Sequence, residues 1–199
     1  MALLTRPELL GPTSEDLTER VIKTAAARTT LLKEAAAAPW NATFDIFLSH
    51  SSKHAREVRR LKRLLEKMGY SVYVDWVEDA ELDRSNVTPA TAARLRHRIS
   101  RSRSLLVHAS EGARLSRWVP WELGYADGLH RPVGILPVLA ESRRTLSYKG
   151  DEYLGLYPYV DFEDDAKTGR REPWVNRAPK TYVSFKGWLK GRQPYRRSA

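Results

Sequence analysis

The chain has 199 residues with an apolar share of 42%, which is enough for the core of one domain with extensions. It contains no cysteine, so disulfides, thiolate nucleophiles and cysteine-ligated zinc are excluded. The net charge of +10 raises nucleic acid, membrane surfaces and anionic small ligands as partner classes. No zinc-finger, basic-zipper or RNA-recognition signature accompanies the basic residues.

The first forty residues are predicted to form an extension ahead of the main domain. Residues 1–12 are expected to be a flexible lead, too short and too charged for a signal peptide. Thr13 and Ser14 then precede an acidic first turn, and apolar residues recur on one stripe until Pro39 ends the predicted helix. No apolar run approaches the ~20 residues that a membrane-spanning helix needs, so we expect a cytoplasmic protein.

Short apolar runs alternate with helical segments through the middle of the chain. The runs predict strands over residues 44–49, 71–75, 104–110 and 132–139. The intervening patterns predict helices over residues 55–68, 90–100 and about 117–128. Glycines are expected to end the first and the last of these helices, Gly128 in a left-handed cap. Repeated strand–helix units predict a parallel sheet with helices on both faces.

The last sixty residues have a less regular pattern. We predict a turn that leads into an edge strand over residues 159–162, followed by a polar loop over residues 163–173. A final amphipathic helix is expected over residues 181–190. The residues from 194 onward are expected to be a basic, frayed tail.

The helix that begins near residue 117 carries a candidate catalytic carboxylate. Pro120 fits only in a first helical turn, and Trp118 and Glu122 are four residues apart, so they share a face. Leu123 and Ala126 point elsewhere and are expected to pack inward. On this segment alone, Glu122 either complements the positive end of the helix dipole or belongs to a site.

The topology of the predicted sheet favours a site at one rim. In open parallel sheets, ligands bind outside the carboxyl ends of the strands. The residues that follow the predicted strands should therefore lie on one rim with the start of the Trp118 helix: Ser49-His50, Asp75-Trp76 and Ser110-Glu111. Residues 76–89 form a long loop at this rim, and long loops in compact domains are commonly functional.

Several common chemical motifs are absent from the sequence. There is no GxGxxG after a strand, no GxxxxGK[ST] and no GxSxG, which argues against a dinucleotide fold of the usual type, a P-loop and a hydrolase triad. His50 and His54 are four residues apart, but no third ligand accompanies them. We therefore expect no metal.

The order of these segments resembles one family. Residues 44–52 (FDIFLSHSS) resemble the first strand and following loop of Toll/interleukin receptor (TIR) domains, and residues 69–75 (GYSVYVD) resemble their second strand. Residues 104–110 and 116–122 (SRWVPWE) resemble the third strand and the helix that bears the family's glutamate. The resemblance covers about residues 43–140 and is nearest to bacterial TIR proteins of the antiphage-defence type.

The resemblance implies a flavodoxin-like three-layer α/β fold, with a central parallel sheet and helices on both faces. We expect the TIR domain to span residues 41–162, with an N-terminal extension that carries a helix over residues 1–40 and a C-terminal extension over residues 163–199. The loop at residues 76–89 takes the place of the family's BB loop but lacks the glycine often found there. Loop-mediated assembly of the usual kind is therefore in question.

In the enzymatic branch of this family, the glutamate cleaves the bond between nicotinamide and ribose in NAD+, and the tryptophan four residues earlier lines the nucleotide site. The resemblance gives these roles to Glu122 and Trp118. Ser49, His50 and Asp75 are expected to contact the nucleotide, although a turn-forming or loop-capping role would also explain them. NAD+ would be the substrate, with no separate cofactor. We expect the Glu122 carboxylate to face solvent at the rim, beside a slot shaped by the indole of Trp118.

Four functions stay open from the sequence. The first is an NAD+ glycohydrolase or ADP-ribosyl cyclase whose product signals to a separate effector in bacterial antiphage immunity. The second is a non-catalytic TIR adaptor that works through contacts between TIR domains. The third is a nucleoside deoxyribosyltransferase, which also uses a glutamate on ribose. The fourth, a nucleic-acid binder, is favoured by charge alone.

Overall fold

A mixed β-sheet forms the centre of the computed structural model, which describes residues 3–11, 38–51, 54–75, 88–109, 118–139, 147–150 and 152–196. The strands in these residues are β1 (Leu4–Thr5), β2 (Phe44–Ser49), β3 (Val72–Tyr73), β4 (Ser102–Ala109), β5 (Val133–Leu139), β6 (Tyr159–Asp164), β7 (Arg171–Ala178), β8 (Thr181–Ser184) and β9 (Tyr195–Arg196). The helices are α1 (Arg6–Leu10), α2 (Ala55–Lys67), α3 (Pro89–Ser100), α4 (Trp118–Gly128) and α5 (Phe185–Trp188), with a 3-10 helix at Glu152–Leu156. The order across the sheet is β3-β2-β4-β5-β6-β7-β8-β9, and β1 pairs with β5. This arrangement confirms the predicted α/β fold class.

The strands from β3 to β6 are parallel and contain the apolar runs of the sequence. Their sequences are nearly continuous in apolar residues because helices cover both faces of this part of the sheet. Val58 and Leu65 of α2 are fully buried in the core on one face. Leu95 and Ile99 of α3 are buried in the core on the other face.

Two helix ends test the predicted glycine caps. Gly69 follows α2 with a φ of 88°, a left-handed conformation that glycine adopts without steric cost. The prediction that Gly128 is a left-handed cap is wrong, because α4 continues through this residue. The left-handed residue is His130 (φ 53°), and the Arg131 N–H then donates to the carbonyl of Ala126 at 3.0 Å.

The N-terminal residues are ordered in the fold, so the prediction of a flexible lead is wrong for residues 3–11. Leu4 is buried and pairs in parallel with Val138 of β5. Thr5 and Glu8 form a capping box at the start of α1, in which the Thr5 N–H donates to Glu8 Oε2 at 3.1 Å. A two-residue strand is too short to show a periodicity in the sequence. Its order comes from its pairing with β5.

The C-terminal residues add antiparallel strands to the sheet, which corrects four predictions. β6 is not an edge strand, because it pairs with β5 on one side and with β7 on the other. The predicted polar loop is shorter than expected, since β6 extends to Asp164 and β7 begins at Arg171. The predicted final helix is instead β8 followed by the four-residue α5, and the expected tail contributes β9, which pairs with β8.

Some predicted features lie outside the described residues. These are most of the N-terminal helix, the loop at residues 76–89 up to residue 87, and the Ser110-Glu111 turn. The proposed domain boundaries stay predictions, and the sheet itself continues across residue 163 through β6. In the described stretches, no helix has both the length and the apolar character needed to cross a membrane.

Candidate active site

The carboxyl ends of β2 and β3 and the first turns of α4 bring the predicted site residues into two contacting pairs. Ser49 is the last residue of β2, and Asp75 follows shortly after β3. β2 and β3 run parallel, so both ends lie at the same edge of the sheet. The rim predicted from the sequence is therefore present for these residues.

Glu122 is joined directly to the end of β2. The Ser49 hydroxyl donates to Glu122 Oε2 at 2.6 Å, across 73 positions of sequence. Both residues are 0% exposed. The expectation that the Glu122 carboxylate faces solvent is therefore wrong. Glu122 lies on the buried face of α4 with Leu123 and Ala126. This face packs the helix on the sheet.

Trp118 lies one helical turn before Glu122 and is 8% exposed. Its ring meets that of Trp121 edge to face, with centroids 5.4 Å apart, and Trp121 in turn stacks on Tyr125 at 5.8 Å. Both aromatic contacts are of the kind that packed aromatic residues prefer. Trp118 and Glu122 share a face of α4, as their spacing predicted, and Trp121 packs beside them.

His50 and Asp75 form the second pair. The His50 Nδ1–H donates to the Leu48 carbonyl at 2.9 Å, because that oxygen can only accept. His50 Nε2 then lies 3.4 Å from Asp75 Oδ1, and both side chains are at most 2% exposed. This buried polar pair adjoins Ser49, because His50 is the next residue in the chain.

A second ionic cluster lies near the carboxyl end of β4, and it was not predicted from the sequence. Its centre is Glu57 in the first turn of α2. Arg6 Nε lies 2.8 Å from Glu57 Oε1, His54 Nδ1 lies 3.1 Å from the same oxygen, and His108 Nε2 lies 3.2 Å from Oε2. The i,i+3 spacing of His54 and Glu57 was visible in the sequence, but the contributions of Arg6 and His108 depend on tertiary pairing.

The charges in this cluster are set by burial and by the neighbouring groups. Burial opposes ionisation of Glu57, but His108, Arg6 and His54 together outweigh it and lower the pKa of Glu57 to about 2. Burial lowers the pKa of His108 below its usual value, although Glu57 acts in the opposite direction. In the described part of the chain, the buried Nδ1 of His108 has no hydrogen-bond partner.

The described residues contain no group of three or more His, Asp or Glu side chains placed to hold a metal ion. At the Glu57 cluster, the Arg6 guanidinium supplies the positive charge that a metal would supply elsewhere. The rim offers two carboxylates, a hydroxyl, an indole and a buried imidazole, from Asp75, Glu122, Ser49, Trp118 and His50. Such a set can stabilise a cation and stack on a flat base.

The chain is similar to known proteins over most of its length. The family described as TIR domain matches residues 46–173. A protein of Bacillus cereus (strain MSX-D12) named "Probable 3′ cyclic ADP-D-ribose synthase ThsB′" is 50% identical over 149 residues, which cover 75% of this chain and 77% of that protein.

Two further similarities are more distant. A protein of Cytobacillus dafuensis named "Putative cyclic ADP-D-ribose synthase TIR2" is 31% identical over 87 residues, which cover 43% of this chain and 23% of that protein. Among solved structures, the TIR domain of the Toll-related receptor TRR-2 from Hydra magnipapillata is 20% identical. The match covers 53% of this chain and 77% of that domain, with a TM-score of 0.39.

Proposed function

The chain belongs to the TIR domain family, and from this premise we propose that it cleaves the bond between nicotinamide and ribose in NAD+. The observation that carries the proposal is the Glu122 carboxylate, which the Ser49 hydroxyl contacts at the carboxyl end of β2 with Trp118 one turn away. The names of the two bacterial relatives, both cyclic ADP-D-ribose synthases, support the same chemistry.

The reaction needs few protein groups. When the glycosidic C–N bond breaks, its electron pair neutralises the pyridinium ring, so nicotinamide leaves without a general acid. The ribose carbon then carries oxocarbenium character, which a nearby carboxylate stabilises. Water adds to this carbon and loses a proton to give ADP-ribose, or a nucleophile within the same ADP-ribose adds and loses a proton to give a cyclic product.

Glu122 is the proposed catalytic carboxylate. Trp118 is proposed to stack on a flat part of the dinucleotide, while His50 and Asp75 contact its polar groups. The Ser49 hydroxyl is hydrogen-bonded to Glu122. Because all five residues are buried, NAD+ reaches Glu122 only after the surrounding chain rearranges. We propose that self-assembly through contacts between TIR domains produces this rearrangement.

We propose a cyclic ADP-ribose as the product and bacterial antiphage immunity as its setting, with a separate effector that responds to the product. This follows the printed name of the Bacillus cereus relative, with which the chain shares 50% of aligned residues. A non-catalytic TIR adaptor is the second candidate. Burial of Glu122 favours it, because a scaffold does not require substrate to reach that carboxylate.

Mass analysis of the products separates these functions. Concentrated protein is incubated with NAD+, and the mixture is compared with that from Glu122→Ala, whose melting temperature is measured in parallel. Cyclisation yields nicotinamide and a product one water lighter than ADP-ribose, whereas hydrolysis yields nicotinamide and ADP-ribose. Loss of both products in a folded Glu122→Ala protein supports the catalytic assignment. Unchanged turnover in that variant would reject it, and no nicotinamide release from assembled wild-type protein would favour the adaptor.

A further inference from the structure

The hydrogen bond between Ser49 and Glu122 indicates a role for Ser49 itself. We propose that Ser49 is a positioning residue, which fixes the orientation of the Glu122 carboxylate and keeps it ionised, and that it acts through Glu122 rather than as a contact to the nucleotide. The catalytic consequence of this role rests on the proposed function. The effect on ionisation does not.

The length of the bond agrees with donation to an ionised group. The Ser49 Oγ to Glu122 Oε2 distance is 2.6 Å. Neutral O–H···O hydrogen bonds cluster near 2.7–2.8 Å, whereas charge-assisted bonds to a carboxylate fall at about 2.5–2.7 Å. The Ser49 hydroxyl hydrogen can rotate toward Glu122. The short distance favours Ser49 as donor and ionised Glu122 as acceptor.

The sheet holds the donor in place. Ser49 is the final residue of β2, and its backbone pairs with Val107 of β4. The acceptor is carried by the middle of α4, whose buried face is anchored through Leu123 and Ala126. A strand-borne hydroxyl and a helix-borne carboxylate therefore meet between two rigid elements. Such a donor is preorganised and does not have to be recruited from a loop.

Glu122 needs such a donor because of its burial. Removing a carboxylate from water favours the protonated form, which could no longer stabilise a developing cation. A hydrogen bond made to the ionised form acts in the opposite direction. The Ser49 hydroxyl occupies one acceptor position on Oε2, and a carboxylate has roughly four.

The variant Ser49→Ala tests the proposal, with Ser102→Ala as its matched control. Ser102 is also a buried strand serine, but its hydroxyl donates to the Arg98 carbonyl at 2.8 Å, at the opposite end of the sheet from the rim. We expect Ser49→Ala to lower kcat roughly tenfold to a hundredfold with KM nearly unchanged. Its acid limb in the pH–rate profile should move upward by about one pH unit or more. Ser102→Ala should leave kcat and that limb in place.

A second measurement does not depend on turnover. In protein labelled with ¹³C at glutamate side chains, the Cδ resonance that disappears in Glu122→Gln reports the titration of Glu122. Its midpoint should lie at higher pH in Ser49→Ala than in the wild type. An unchanged midpoint would overturn the proposal, as would a raised KM with unchanged kcat, which would make Ser49 a substrate contact. If Glu122→Gln retains full turnover, the proposed function fails, and the titration still decides the role of Ser49.

Discussion

Asp161 is a buried acidic residue whose removal is predicted to stabilise the protein. It lies in β6 and is 1% exposed, and its Oδ1 has no hydrogen-bond partner in the described residues. Burial raises the pKa of Asp161 from 3.8 to about 6, and a hydrogen bond with Asn176 offsets only part of this effect. Near neutral pH the folded protein therefore holds a charge that the unfolded chain accommodates more easily.

The size and sign of the effect follow from the two pKa values. A carboxyl with a raised pKa in the folded state binds a proton more tightly when folded, so its contribution to stability falls as the pH rises from about 4 to 6. Above that range the full cost applies. A difference of about two pKa units corresponds to about 3 kcal/mol. Asp161→Asn removes the charge with little change in volume and should recover up to this amount.

Urea denaturation at a series of pH values measures the gain. At pH 7.5 we expect Asp161→Asn to raise the free energy of unfolding by up to about 3 kcal/mol relative to the wild type. The difference should shrink below pH 6 and vanish near pH 4. Asp164→Asn is the control, because Asp164 is exposed in the same strand, and it should change stability by less than about 0.5 kcal/mol. A gain that persists at pH 4, or a loss at pH 7.5, would refute the reasoning.

Two further substitutions test the Glu57 cluster and the end of α4. The pKa of Glu57 is lowered in the folded state, so its contribution is complete above pH 4.5 and is lost as the pH falls toward 2. Glu57→Gln should therefore lower the free energy of unfolding by about 3 kcal/mol at pH 7, measured in urea, and a loss equally large near pH 2 would contradict this. His130→Gly should raise the free energy of unfolding by about 0.5 kcal/mol, because glycine adopts the left-handed conformation without a Cβ clash. A lower melting temperature would count against that explanation.

The central strands and helices could be predicted because their signal is local. α2 carries apolar residues at helical spacing, and β2 and β5 are short, mostly apolar runs, as is typical of strands buried on both faces. Thr181 to Ser184 shows the limit of such patterns. The segment was expected to be helical, but its pairing with β7 makes it a strand, and the Ser184 hydroxyl then caps the short α5.

The positions of the candidate site residues could be predicted from the sequence, but their exposure to solvent could not. The predicted strand order placed Ser49, His50 and Asp75 at the carboxyl ends of the strands, near the start of α4. The structure pairs Ser49 with Glu122 and His50 with Asp75. The exposure of Glu122 could not be read from the sequence, because it depends on what packs over the rim. The Arg6 contact to Glu57 was missed for a related reason, since it depends on β1 binding to β5.

The rate of nicotinamide release from Glu122→Gln tests the central claim most directly. Glutamine keeps the size of the side chain and an oxygen that can accept from Ser49, but it removes the charge that would stabilise the ribosyl cation. With concentrated protein and saturating NAD+, we expect the rate to fall at least a hundredfold while the melting temperature shows a folded protein. A folded Glu122→Gln protein that releases nicotinamide at the wild-type rate would contradict the account.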